Sequence, residues 1–207
     1  GATRVANLPL LVIRRPKLSP AFISVQGTYG LRRTIEQLLP SYFELRIGFT
    51  TGSSATAATK AALIALITET RIGEVSITLP SGESITIPTE VTSIQKTEAS
   101  AFVIKDAGDD PDVTHGHAIV ATVSYAEDDL VIRFLQGKGV GEVTLPGLDI
   151  PIGEPAINKT PRLMIEREVS ELLEEYGLES KGIDVTISVP EGEALAEKTF
   201  NPRLGIV

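Results

Sequence analysis

An α+β fold, with helices layered on a mostly antiparallel sheet, is what this sequence predicts. Three observations carry it. Runs with strand-like alternation outnumber helix-like stretches. Several alternating runs are separated by turns of hairpin length, which favours antiparallel neighbours. The two strongest helical stretches both have apolar surface to bury, one nearly all round and one as a stripe. The chain has 207 residues, one large domain or two small ones, long enough to bury a core without cross-links.

Residues 1–45 differ from the rest and are expected to form an N-terminal extension or linker. Leu8 to Ile13 is a short apolar run broken by Pro9, and Leu31, Ile35, Leu38 and Leu39 have helical spacing up to Pro40. From residue 46 to 207 one domain is expected. Thr51-Gly52-Ser53-Ser54 supplies small capping residues, and Ala55 to Ile67 follows as a helix of alanine and leucine that should be buried. Glu74 to Leu79 alternates, turns at Pro80-Ser81-Gly82-Glu83, and alternates again over Ser84 to Pro88, predicting a hairpin. Ala101 to Lys105, His117 to Tyr125 and Leu130 to Leu135 read as further strands. Thr160-Pro161 predicts a helix start, with Thr160 as the cap and Pro161 in the first helical position. Leu163, Ile165, Val169, Leu172 and Leu173 form its stripe, and Gly177 ends it. Ile183 to Val189 reads as the last strand.

Charge and composition narrow the partners. Lys and Arg number 19 against 27 Asp and Glu, a net charge of -8. Basic residues cluster only at Arg14-Arg15-Pro16-Lys17 and Arg32-Arg33, so no nucleic-acid partner is expected. No run of ~18 apolar residues exists to span a membrane. There is no cysteine, which excludes disulfides, thiolate metal sites and cysteine nucleophiles and fits a cytoplasmic protein. The first residues lack the apolar stretch of a signal peptide. Gly1 in place of Met, and an apolar run still in progress at Val207, suggest a fragment of a longer protein.

Four segments have residues poorly suited to building a core. In Phe49 to Ser54, hydroxyls and backbone N–H groups at a helix start fit either an anion site or ordinary N-capping. In Lys105 to Gly116, four aspartates fall within seven residues, beside one lysine and His115. Aspartate there can act as base, hard-metal ligand or turn residue. His115 and His117 could pair on a metal, but a zinc site would need an aspartate as well. No metal is expected. Gln136 to Glu142 contains Gly-x-Gly-x-Gly, neither the dinucleotide fingerprint nor a phosphate loop, with Lys138 as a possible counter-charge. Thr199 to Ile206 carries an Asn-Pro turn and Arg203, which can grip a carboxylate in two hydrogen bonds.

In this order the segments resemble the cobalt-precorrin-5B C(1)-methyltransferase family of anaerobic cobalamin biosynthesis, the CbiD family. The matching pieces are Arg46-x-Gly48-Phe-Thr-Thr-Gly52, Lys105 to Gly116, Gly137 to Gly141, Pro146-Gly147, Pro151 to Asn158, Val189 to Glu193 and Lys198 to Ile206. Ser54 stands where family members often carry cysteine. The family continues past the last motif into a second, α/β domain that this chain does not include.

The resemblance implies S-adenosylmethionine as methyl donor and an anionic, cobalt-containing tetrapyrrole as acceptor, methylated at ring carbon C-1. No Rossmann-type motif for the donor is present. A flat polycarboxylate asks for N–H groups, hydroxyls and a few cations. Thr50, Thr51, Gly52, Ser53, Lys105, Gly137, Lys138, Gly139, Asn201 and Arg203 are the candidates, with Asp106, Asp110 and His115 as candidate catalytic groups. A non-catalytic tetrapyrrole-binding module and magnesium-dependent phosphoryl transfer are the alternatives.

Overall fold

The structure is a computed structural model that describes residues 46, 48–127, 130–145 and 149–199, with the backbone alone for 196–199. The predicted helix over 31–39 lies outside the described residues.

Helix α1 is Thr51–Thr68, and twelve of its residues are buried. Ala57, Ala58, Ala61, Ala62, Leu63 and Ala65 have no exposed surface at all. A helix buried on every side must satisfy its own hydroxyls. Ser54, Thr56, Thr59 and Thr68 do this by donating to the carbonyl four residues back, at 3.0, 2.9, 2.9 and 2.7 Å. Such back-bonding is how hydroxyl side chains are tolerated inside a helix.

Strands β1 (Glu74–Thr78) and β2 (Ser84–Pro88) form the predicted hairpin as a separate two-stranded sheet. The main sheet has β3 (Glu90–Ile94), β4 (Glu98–Ile104), β5 (Ala118–Tyr125), β6 (Ile132–Gln136) and β7 (Ile183–Ser188) in the order β3-β4-β5-β7-β6. Every neighbouring pair is antiparallel except β6 with β7. Between those parallel strands runs α2, Lys159–Glu175, as the crossover that parallel strands require. A last helix, α3, is Gly192–Thr199.

The α+β class and mostly antiparallel sheet are as the sequence predicts. Ala99, Ala101, Val103, Ile119, Ala121, Val123, Val185 and Ile187 are the buried alternate residues of three adjacent central strands, and they join α1 in one core. Strand β3 escapes sequence detection because a bulge between Val91 and Ser93 interrupts its alternation. The start of α2 also differs from expectation. Asn158, not Thr160, is the cap, and its side chain makes no capping bond. Arg162 N–H donates to Asn158 O at 3.2 Å, and Pro161 sits inside the first turn, where its missing N–H has no partner to lose. Gly177 follows α2 with a φ of 66°, and Leu178 N–H returns to Leu173 O at 2.8 Å, closing the helix.

Register places the functional loops. Ile104 lies opposite Ala118, Val120 opposite Ser188, and Gln136 beside Ile187. The ends of β4, β6 and β7 and the start of β5 therefore share one end of the sheet. Both long helices start at this end as well: a Cβ on Gly52 would lie 2.8 Å from Pro161 Cγ.

Further along, α1 and α2 are joined by an ion pair. Lys60 Nζ lies 2.6 Å from Glu168 Oε2 and also donates to Ser76 O at 2.8 Å. Glu168 Oε1 accepts from Thr78 N–H at 2.8 Å. The Glu168 side chain is 3% exposed, so an unpaired carboxylate there is costly. Lys60→Met is expected to destabilise the domain by about 3 kcal/mol, measured by urea unfolding at pH 7. A loss below about 1 kcal/mol would mean the pair behaves as a solvated surface pair.

Candidate functional site

The segment before α1 and the aspartate loop after β4 are built against each other. Phe49 N–H donates to Asp106 O at 2.6 Å, and Asp109 N–H donates to Arg46 O at 3.1 Å. Arg46 N–H donates in turn to Asp109 Oδ2 at 2.6 Å. The backbones come too close for side chains. A Cβ on Gly48 would lie 1.9 Å from Ala107 C, and one on Gly108 would lie 2.0 Å from Arg46 O. Gly108 also has a φ of 64°, which L side chains rarely adopt.

Within this junction most polar groups are already engaged. Thr50 is the α1 N-cap, its Oγ1 accepting from Ser53 N–H at 3.0 Å. Ser53 is buried, with its Oγ 3.0 Å from the same Thr50 oxygen. Thr51 Oγ1 lies 3.2 Å from Thr114 Oγ1. The Thr51 and Gly52 N–H groups, in the first turn of α1, find no acceptor among the described residues.

Asp106 is gripped by the Arg46 guanidinium in two bonds of 2.5 and 2.8 Å and accepts from Gly108 N–H at 2.9 Å. The backbone bond from Gly108 and the Arg46 contact hold its carboxyl below the usual carboxylate range. Asp110 is exposed, and its N–H donates to Ala107 O at 3.2 Å. His115 Nδ1 accepts from Ala107 N–H at 3.0 Å, so the proton of the neutral ring sits on Nε2. Its side chain is half exposed, with Nδ1 3.8 Å from Asp106. His115 can therefore donate from Nε2, while Nδ1 is occupied. His117 takes a different partner from His115: its Nδ1 meets the Glu191 carboxylate. Among the described residues no group of three His, Asp or Glu side chains could hold a metal ion.

The sequence puts Lys105 among the cations that meet a ligand. The structure puts it inside, 1% exposed, with Nζ 2.6 Å from Asp112 Oδ2. The strand alternation that buries Ala99, Ala101 and Val103 continues one step to Lys105, so its side chain is directed to the core side. Asp112 Oδ1 accepts both the N–H and the hydroxyl of Thr114, at 2.8 and 2.6 Å. These bonds outweigh the opposing effect of burial and leave its carboxyl below the usual range.

The glycine loop is seated at the same end of the sheet. A Cβ on Gly137 would lie 2.3 Å from Ile187 O, and one on Gly139 would lie 2.0 Å from Val189 O. Val189 N–H donates to Lys138 O at 2.8 Å, and Lys138 itself is exposed. His117 with Glu191 ties the start of β5 to the turn on which this loop rests. Two surface hollows, of about 320 and 440 Å³, lie elsewhere: one is lined by Leu130, Ile132 and Leu173, the other by Ile150, Lys159 and Arg162. Neither is lined by the three loops. Asn201 and Arg203 lie outside the described residues. Arg46, Thr114 and Glu191 belong to this cluster but are not among the residues chosen from sequence. All three fall within the matched motifs, which is the available signal, Glu191 at the variable position between Pro190 and Gly192.

These features define an α+β domain whose polar, non-core motifs gather on loops at one end of a sheet. The chain belongs to the CbiD family, whose model matches residues 40–207. It is 56% identical over 163 residues to the cobalt-precorrin-5B C(1)-methyltransferase of Geobacillus sp. (strain WCH70), covering 79% of this chain and 44% of that protein. It is 52% identical over 164 residues to the protein of the same name in Brucella anthropi, again covering 79% and 44%. A 1.9 Å crystal structure of the cobalamin biosynthesis protein (cbiD) from Archaeoglobus fulgidus superposes with a TM-score of 0.58 at 32% identity, over 78% of this chain and 50% of that one. The chain thus spans less than half the length of these curated relatives.

The depressed carboxyls set an acid limit on stability. A carboxyl whose folded pKa is lowered contributes stability that is complete above its unfolded value and lost as pH falls through the folded one. For Asp106 and Asp112 the ordinary value is 3.8. Stability is expected to be level from pH 7 to about 5 on account of these groups and to fall as pH drops through 3.8 and below. Asp112→Asn should lower stability at pH 7 and flatten that acid slope, measured by urea midpoints between pH 7 and 3. An unchanged slope would show that Asp112 does not contribute.

Proposed function

We propose that this chain forms the acceptor-binding part of a methyltransferase that uses S-adenosylmethionine to methylate C-1 of a cobalt-precorrin during corrin-ring synthesis in the cytoplasm. What supports this is family membership, with relatives of that name at up to 56% identity. The observation that carries it for this chain is the meeting of the Thr50–Ser53 and Asp106–His115 segments in one interlocked junction.

The acceptor is a flat macrocycle with many carboxylates. Thr51 and Gly52 N–H groups, at the positive end of α1, receive a carboxylate oxygen. His115 donates from Nε2, and exposed Lys138 supplies a counter-charge. Asn201 and Arg203 add a second carboxylate grip. Asp110, exposed, is the carboxylate free to accept a proton or face a cationic group. Asp106 acts through Arg46, which it holds in place. The net charge of -8 does not attract a polyanion from afar, so the favourable field is local.

The donor supplies an electrophilic methyl group, and the glycine loop after β6 does not fit it. The glycine loop follows β6 in a β6–α2–β7 crossover, the place where many α/β folds hold a nucleotide. Here the space its glycines open is filled by Ile187, Ser188, Val189 and Gly192. No donor step therefore runs through this loop.

The test is to titrate the chain with a cobalt corrinoid bearing free carboxylates, followed by its visible spectrum, beside the Geobacillus relative. Saturable binding is expected, weakened about tenfold by Lys138→Ala, with methyl transfer from labelled donor by the relative. A corrinoid that shifts the relative's spectrum and never this chain's would overturn the acceptor-binding role. Turnover by this chain at the relative's rate would instead place a donor site within it.

A further inference from the structure

Lys105 is a buried ammonium, 1% exposed, at the root of a half-exposed loop. Its backbone closes the loop: Lys105 N–H donates to His117 O at 3.0 Å and Gly116 N–H donates to Lys105 O at 2.8 Å. Its side chain starts a relay that leaves the loop. Lys105 Nζ donates to Asp112 Oδ2, Asp112 Oδ1 accepts the Thr114 hydroxyl, and the Thr114 oxygen lies 3.2 Å from Thr51 Oγ1 on the first residue of α1.

Counting hydrogens gives this relay a direction. An ionised aspartate only accepts. Thr114 has one hydroxyl hydrogen and gives it to Asp112. Toward Thr51 it can then only accept, so Thr51 must donate. The hydrogen of Thr51 is spent inward, and what its oxygen offers a ligand is a lone pair. The outward donors at this point are the N–H groups of Thr51 and Gly52.

We infer that Lys105 is a positioning residue: through Asp112 and Thr114 it locks the aspartate loop onto α1 and turns the Thr51 hydroxyl into an acceptor facing the ligand. This rests on the acceptor-binding role proposed above and refines its specificity. A carboxylate oxygen is steered to the two backbone N–H groups and kept off Thr51 Oγ1, where lone pairs would oppose it. The group that suits Thr51 Oγ1 is an N–H or O–H beside that carboxylate.

The lock is tested with Lys105→Met, Thr114→Val and Thr114→Ser in the full chain. The first readout needs no ligand. Amide hydrogen exchange at residues 107–116 and at Phe49, whose N–H donates to Asp106 O, should speed up about tenfold in Lys105→Met and Thr114→Val, the equivalent of one lost hydrogen bond to a charged group. Exchange in the β1–β2 hairpin should not change, and Thr114→Ser, which keeps the hydroxyl, should match wild type. The second readout is affinity for the carboxylated cobalt corrinoid. It should fall about tenfold in Lys105→Met and Thr114→Val. It should hold in Thr114→Ser and in Lys60→Met, which weakens the domain away from the loop. Should Lys105→Met not fold, Thr114→Val carries both measurements. Wild-type exchange and affinity in Thr114→Val would overturn the inference, as would an equal loss of affinity in Lys60→Met. If the wild-type chain binds no corrinoid while the relative does, the acceptor-binding role falls and exchange alone decides on the lock.

Discussion

The close seating of α1 on the main sheet is the constraint on which the other features depend. Alanines at 57, 58, 61, 62 and 65 face a sheet whose own inner residues include Ala99, Ala101 and Ala121, all without exposed surface. Small residues on both sides let the helix lie near the sheet, and close packing then fixes where it lies. There is no room to slide, because an added methylene in such a core costs roughly 1–3 kcal/mol. The helix start is consequently held at the end of β4, and Thr51 is brought to Thr114 by the position of a helix rather than by the reach of a side chain.

Charge is managed by pairing. Lys105 with Asp112 and Lys60 with Glu168 bring acidic groups together with cations inside the fold, and Arg46 with Asp106 and Arg133 with Asp184 do so nearer the surface. Around the start of α1, Asp106 and Asp112 are thereby paired with cations, while Asp110 stays exposed. The same pairings engage Arg46 and Lys105, the cations beside the aspartate loop. Among the described residues at this end of the sheet, His115, Asp110 and Lys138 keep exposed side chains.

The legible part of the fold followed from period and punctuation. The β1–β2 hairpin and the stripe of α2 were plain because alternation and helical spacing each ran unbroken between turn residues. Strand β3 was not, since its bulge destroys the alternation that would reveal it. The start of α2 was misplaced by two residues because Pro161 fits the first turn at more than one position. In the candidate site, residue types were legible but their obligations were not. Thr50, Ser53 and Lys105 look like ligand groups when only their chemistry is known. Their engagement in a cap, in a buried contact and in an ion pair depends on partners only 3, 3 and 7 positions away, and what decides it is the local turn of the chain at the helix start and in the aspartate loop. Glu191 escapes a reading of the sequence for a different reason, since its partner His117 is distant along the chain.

The glycines explain why the matched motifs work together as a set. Gly48 belongs to one motif and Gly108 to another, yet a side chain on either would strike the other segment's backbone. Gly139 and Gly192 stand in the same relation: a Cβ on Gly139 would lie 2.9 Å from Gly192 Cα, and one on Gly192 would lie 2.2 Å from Gly139 O. These are points where two stretches of main chain cross in contact, and each stretch needs the other's glycine as much as its own. The motifs are therefore halves of two backbone crossings at one end of the sheet. One crossing carries the aspartate loop and α1, and the other carries Lys138 and the turn that His117 reaches through Glu191. At both crossings the end of the sheet is held by contacts between main chains that only glycine permits.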